Sequence, residues 1–83
     1  MDRYEKILLE VLRGTSDANI RFEDLRLLLL HLGFEERIRG SHHIFRKPGV
    51  EDRINLQSDG HEAKPYQVRQ VRRMIVKNRL GGT

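Results

Sequence analysis

The chain has 83 residues, fits one small domain with one core, and contains no cysteine, so disulfides, Cys-based zinc sites and thiol catalysis are excluded. No apolar run nears the roughly 20 residues of a membrane span. The segment Met1-Asp2-Arg3-Tyr4-Glu5-Lys6 lacks the basic-then-apolar build of a signal peptide, so a soluble, cytoplasmic protein is expected.

The net charge of +4 is unevenly placed. Residues 1–33 carry five Lys/Arg against six Asp/Glu, residues 34–57 five against four, and residues 58–83 six against two. A basic C-terminal end favours a polyanionic partner such as nucleic acid, although a solvated basic helix has the same composition.

In residues 3–13, Tyr4, Ile7, Leu8, Val11 and Leu12 recur at helical spacing and form one apolar stripe. Gly14 stops this helix, and residues 15–19 are a polar loop. A second helix is predicted over 22–32, with Phe22 at its start and Leu25, Leu28, Leu29 and Leu32 inward. Glu23 and Asp24 suit its first turn, and Gly33 suits the left-handed position after its end. His31, in the last turn, reads as structural or solvent-exposed.

The period then changes from that of a helix to that of a strand. Residues 34–39 alternate, with Phe34, Glu36 and Ile38 on one side and Glu35, Arg37 and Arg39 on the other. Gly40-Ser41 makes a tight turn, His42 to Lys47 a second strand, Pro48-Gly49 another turn, and Asp52 to Gln57 a third strand. Residues 58–63 read as a loop. Pro65 opens a last helix reaching about Arg79, with Val68, Val71, Met74 and Ile75 inward and Arg69, Arg72, Arg73 and Lys77 outward or to the sides. The expected fold class is α+β, in the order α-α-β-β-β-α, with a three-stranded antiparallel sheet and helices on one face. The other face is left open to a substrate.

Within the second strand, His42, Ile44 and Arg46 share one face, and His43, Phe45 and Lys47 the other. Phenylalanine buries more apolar area than isoleucine, so Phe45 is assigned to the core and His42 to the open face. If Ile44 is buried instead, His43 takes that place. The neighbouring strands send Arg37, Arg39, Arg53, Asn55 and Gln57 to the same open face.

This pattern has a chemical use. RNA carries its own nucleophile, the ribose 2′-OH. Cleavage requires removal of that proton, stabilisation of the phosphorane charge and protonation of the leaving 5′-oxygen. An imidazole transfers protons near neutral pH, and guanidinium groups match phosphate oxygens. No metal or cofactor is expected: adjacent His42 and His43 diverge on a strand, and Asp59 with His61 is an incomplete ligand set. Ser41-His42 without a buried carboxylate is weak evidence for a serine hydrolase.

An ordered set of motifs carries a resemblance. Phe22-Glu23-Asp24-Leu25 leads through Leu29, His31, Leu32, Gly33 and Phe34 to Arg39-Gly40-Ser41-His42-His43-Ile44-Phe45, and then to Lys64-Pro65 and the last helix. Across roughly residues 20–77 this resembles the HicA toxins of bacterial type II toxin–antitoxin pairs, small mRNA interferases with a double-stranded-RNA-binding-domain-like fold. The resemblance implies one HicA-like domain over residues 1–83: an added helix within 1–14, a family core at 20–77 and a frayed tail at 80–83. It implies that His42, the first histidine after Gly-Ser, is catalytic, and that a HicB-like antitoxin covers the site. Arg39, Ser41, Arg46, Arg53 and Lys64 are the substrate- or phosphate-binding candidates.

The chain departs from the family pattern at two places. Many members have Val-Pro and a histidine after the third strand, where this chain has Leu56-Gln57-Ser58 with His61 farther on. Many have Gly-Thr after Lys-Pro, where this chain has Tyr66-Gln67. Both positions bear on substrate preference and on the second catalytic group. The leading expectation is a metal-independent endoribonuclease acting on mRNA, a monomer when free of its antitoxin. The alternatives are a non-catalytic RNA-binding module and a module that docks an acidic protein partner.

Overall fold

In the computed structural model, which describes residues 2–81, helix α1 (Arg3–Arg13) starts at Asp2. The Asp2 carboxylate caps it by accepting from the Glu5 N–H at 2.8 Å. Ile7 and Val11 are buried on its inner stripe. Helix α2 (Phe22–His31) buries Phe22, Leu25, Leu28 and Leu29. It ends because Gly33 adopts φ 96°, and a Cβ there would sit 2.7 Å from the Lys47 amine. Helix α3 (Pro65–Lys77) has Pro65 in its first turn, where no N–H is required. It stops two residues short of the expected Arg79, which itself sits at φ 54°.

Strands β1 (Glu35–Arg39), β2 (His42–Lys47) and β3 (Val50–Leu56) form one antiparallel sheet in the order β1-β2-β3. Arg39 pairs with His42 across a two-residue turn whose first central residue, Gly40, has φ 58°. Lys47 pairs with Val50 across Pro48-Gly49, with a register irregularity between Phe45 and Lys47. β3 therefore begins at Val50 rather than Asp52, the tighter turn recruiting two more residues into the ladder.

Residues 58–63 do not form a simple loop. They make a small hairpin, β4 (Ser58–Asp59) and β5 (Glu62–Ala63). The hairpin forms because the chain at 20–22 offers it backbone partners: Ala63 N–H donates to the Ile20 carbonyl at 2.8 Å, and Phe22 N–H to the His61 carbonyl at 3.0 Å. These long-range bonds have no signature in local periodicity.

Val11, Leu25, Leu28 and Leu29 from the helices join Phe45, Ile54 and Leu56 from the sheet and Val68, Val71 and Ile75 from α3 in one core. The helices cover one face of the sheet and leave the other open, as the alternation requires. An ion pair ties α1 to this body, Arg3 donating to Asp24 of α2 at 2.8 Å, and Arg72 adds a second tie. Arg72 of α3 donates to Asp17 at 2.9 and 3.1 Å and to the Val11 carbonyl of α1 at 3.1 Å. The tail expected to fray over 80–83 lies outside the described residues at 82–83; Leu80 is half-buried against the core. Among the described residues no helix is long and apolar enough to cross a membrane.

Candidate active site on the open sheet face

Strand pairing decides which side chains share a face. Arg39 stands opposite His42, Arg37 opposite Ile44 and Glu35 opposite Arg46. Ile44 stands opposite Asn55, while Phe45 stands opposite Ile54 and His43 opposite Leu56. Phe45 is fully buried, so the phenylalanine, not Ile44, anchors β2 to the core. His42 is consequently exposed on the open face, and His43 is half-buried on the packed side.

The two imidazoles then meet different chemistry. His42 Nδ1 lies 3.3 Å from Asn55 Oδ1. An amide oxygen only accepts, so the contact is a hydrogen bond in the tautomer that carries its proton on Nδ1, which leaves Nε2 free to accept. Ser41, in the adjoining turn, accepts from Gln57 Nε2 at 3.2 Å. Two side chains of one strand segment, Asn55 and Gln57, thus hold the residues on either side of the Ser41-His42 peptide.

His43 is fastened elsewhere. Its Nδ1 donates to Glu36 Oε2 at 2.7 Å, and its ring meets Phe22 edge-on at 4.9 Å. Glu36 in turn accepts a two-pronged pair from Arg26, at 2.6 and 2.8 Å. The Arg26 guanidinium, followed by the His43 hydrogen bond, holds the Glu36 carboxyl below its ordinary value against the opposing effect of burial. The packed-side acid of β1 is therefore a satisfied structural anion, and His43 is part of that lattice.

Beside His42 the open face forms a cleft of about 430 Å³. Arg37, Arg39, Arg46 and Arg53 line it together with Ile44, Glu35 and Glu36. None of the four arginines makes an ion pair within the described residues, whereas Arg3, Arg26 and Arg72 all do. Four guanidinium groups from three strands outnumber the two carboxylates of the cleft and are engaged by neither in an ion pair, which makes this an anion-binding surface.

Of the residues singled out from sequence, Arg39, Arg46 and Arg53 line this cleft, and Ser41 and His42 lie at its hairpin end. Lys64 does not line it. It caps α3 as a half-buried residue whose carbonyl accepts from Gln67 and Val68 N–H groups at 2.9 and 3.2 Å. Arg72 is engaged by Asp17 and is not free for a ligand. His31 is exposed and stacks on Tyr4 with ring centres 4.1 Å apart. Asn55 was placed on this face by alternation, but its contact with His42 follows from the register across β2 and β3, which the sequence does not print. Among the described residues no three His, Asp or Glu side chains are grouped to hold a metal ion.

In comparison with known proteins, residues 22–75 match the family model described as the HicA toxin of bacterial toxin–antitoxin. No curated protein and no solved structure gives a significant match.

Proposed function

The chain belongs to the HicA toxin family, which makes it the toxin of a toxin–antitoxin pair with an antitoxin partner, and from that premise we propose that it cleaves messenger RNA on the open sheet face with His42 as the proton-transfer group. The single observation carrying this reading is the position of His42: exposed, held by Asn55 at 3.3 Å, and paired across the hairpin with Arg39 at the end of a four-arginine cleft.

The steps use groups already on that face. His42 Nε2 accepts the proton of the ribose 2′-OH, and the 2′-oxygen forms a bond to phosphorus. Arg39, Arg46 and Arg53 stabilise the charge that gathers on the nonbridging oxygens. The bond from phosphorus to the 5′-oxygen then breaks, and the 5′-oxygen takes up a proton. The products are a 2′,3′-cyclic phosphate and a 5′-hydroxyl. Because the nucleophile belongs to the substrate, the reaction needs no metal-activated water. One imidazole accounts for one of the two proton transfers. A HicB-like antitoxin suppresses activity by covering this face, and its acidic groups would find the unpaired arginines there.

Product chemistry tests the proposal. RNA incubated with the protein in excess chelator should end in 2′,3′-cyclic phosphate and 5′-hydroxyl groups. A single 2′-deoxy substitution at the cut linkage should block cleavage there. Products with 3′-hydroxyl and 5′-phosphate ends, or cutting at a 2′-deoxy linkage, would overturn it.

A further inference from the structure

The Tyr66-Gln67 pair in the first turn of α3 is used in an unusual way. Gln67 is 1% exposed and is the buried polar residue of the core region. Its amide donates to the Gln57 carbonyl at 3.1 Å and accepts from the Gln57 N–H at 3.0 Å. One side chain of α3 therefore satisfies both backbone groups of the residue that joins β3 to β4. That explains why a glutamine is tolerated in the interior: a buried amide is costly unless it is paired, and here it is paired twice.

The consequence is positional. Gln57, gripped through its backbone by Gln67, reaches Ser41 with its side chain at 3.2 Å. The first turn of α3 is thereby fixed to the strand end that carries the Ser41-His42 turn. Tyr66 precedes Gln67 in this turn. Tyr66 is 54% exposed. The other aromatic residues are committed elsewhere: Phe22, Phe34 and Phe45 are buried, and Tyr4 stacks on His31. Folding gains little from leaving a large ring in water at this place.

We propose that Tyr66, carried on the helix turn that Gln67 pins to the Ser41-His42 strand end, is a stacking platform for the nucleobase flanking the cleaved phosphate, and so a determinant of substrate preference. The inference rests on the reading that RNA lies across the open face. The phosphates need the arginines, and an unpaired base needs an apolar plane. Single-stranded RNA is recognised in this way, by aromatic stacking beside a basic track. A ring on a helix turn whose backbone is pinned to the sheet presents that plane from a fixed position.

The test measures binding, so it does not depend on cleavage. Short homopolymeric 2′-O-methyl oligoribonucleotides of A, C and U, which lack the nucleophile, are titrated with the full chain and followed by fluorescence anisotropy. Tyr66→Ala should weaken binding by roughly 5- to 150-fold, the range of one base–aromatic stack. Tyr66→Phe should bind within about twofold of the wild type, since the ring and not the hydroxyl makes a stack. Tyrosine fluorescence of the wild type should fall on binding, and Tyr66→Phe should lose that response while keeping Tyr4. Tyr66→Ala binding like the wild type would overturn the proposal and leave the ring for protein docking. Tyr66→Phe as weak as Tyr66→Ala would also overturn it, in favour of a role for the hydroxyl. Wild-type protein that binds no oligonucleotide would remove the RNA reading itself, an outcome distinct from either.

Discussion

His42 Nδ1 and Asn55 Oδ1 face each other across β2 and β3 at 3.3 Å. The contact costs the fold nothing, because both side chains are exposed. It favours the ring tautomer protonated on Nδ1, in which Nε2 is the acceptor. Asn55→Ala should therefore lower kcat by roughly 2- to 10-fold, the worth of one ordinary hydrogen bond. KM should stay near the wild-type value, since the arginine cleft is intact. Steady-state kinetics on an RNA oligonucleotide checks this, and a change confined to KM would contradict it.

The arginines make a different prediction, about salt. Each phosphate contact to single-stranded nucleic acid contributes about 0.7 to the slope of log K against log salt. Arg39→Ala, Arg46→Ala and Arg53→Ala should each reduce that slope by roughly this amount. Arg72→Ala should leave the slope unchanged, because its guanidinium already serves Asp17 and the Val11 carbonyl. Binding isotherms at several salt concentrations separate the two kinds of arginine.

Glu36 is the charge on which the packed side of β1 depends. Its side chain is 9% exposed and receives Arg26 and His43 together. Glu36→Ala leaves two donors without their acceptor, and should cost about 2 kcal/mol. For a domain of this size that lowers Tm by roughly 10 °C, measurable by calorimetry. Cleavage by the protein that remains folded should survive, because the Arg26–Glu36–His43 lattice lies on the face opposite His42.

Acid should unfold the protein through Glu36 and Asp17 together. Arg26 lowers the first carboxyl from its ordinary 4.5, and the hydrogen bonds from Arg72 lower the second from 3.8. Both carboxyls have native values below their unfolded ones, so the unfolded chain binds more protons as the pH falls. Their contribution is complete above about pH 4.5 and is lost as the pH drops through the lowered native values. Denaturant unfolding measured against pH should show this decline, and Glu36→Gln with Asp17→Asn should flatten it.

The sequence carried the fold through signals that are local. Gly14, Gly33 and Pro65 mark helix ends, and the structure keeps helices at Arg3–Arg13, Phe22–His31 and Pro65–Lys77. Alternation, together with the larger area of Phe45, separates His42 from His43 in the sequence itself. What escaped was long-range. The 58–63 hairpin depends on backbone partners at residues 20–22. The Arg26–Glu36, Arg72–Asp17 and Gln67–Gln57 contacts join elements that no periodicity links. Ile38 shows the same limit: it alternates with the packed side, yet on the edge strand β1 it stays 55% exposed.

The central claim is that His42 moves the proton, and one comparison tests it most directly. Wild-type protein and His42→Ala are assayed on the same RNA in excess chelator, after matching melting curves show that both are folded. The wild type should cut and His42→Ala should leave the RNA intact, while His43→Ala keeps activity in whatever fraction remains folded. Undiminished cleavage by folded His42→Ala would contradict the account.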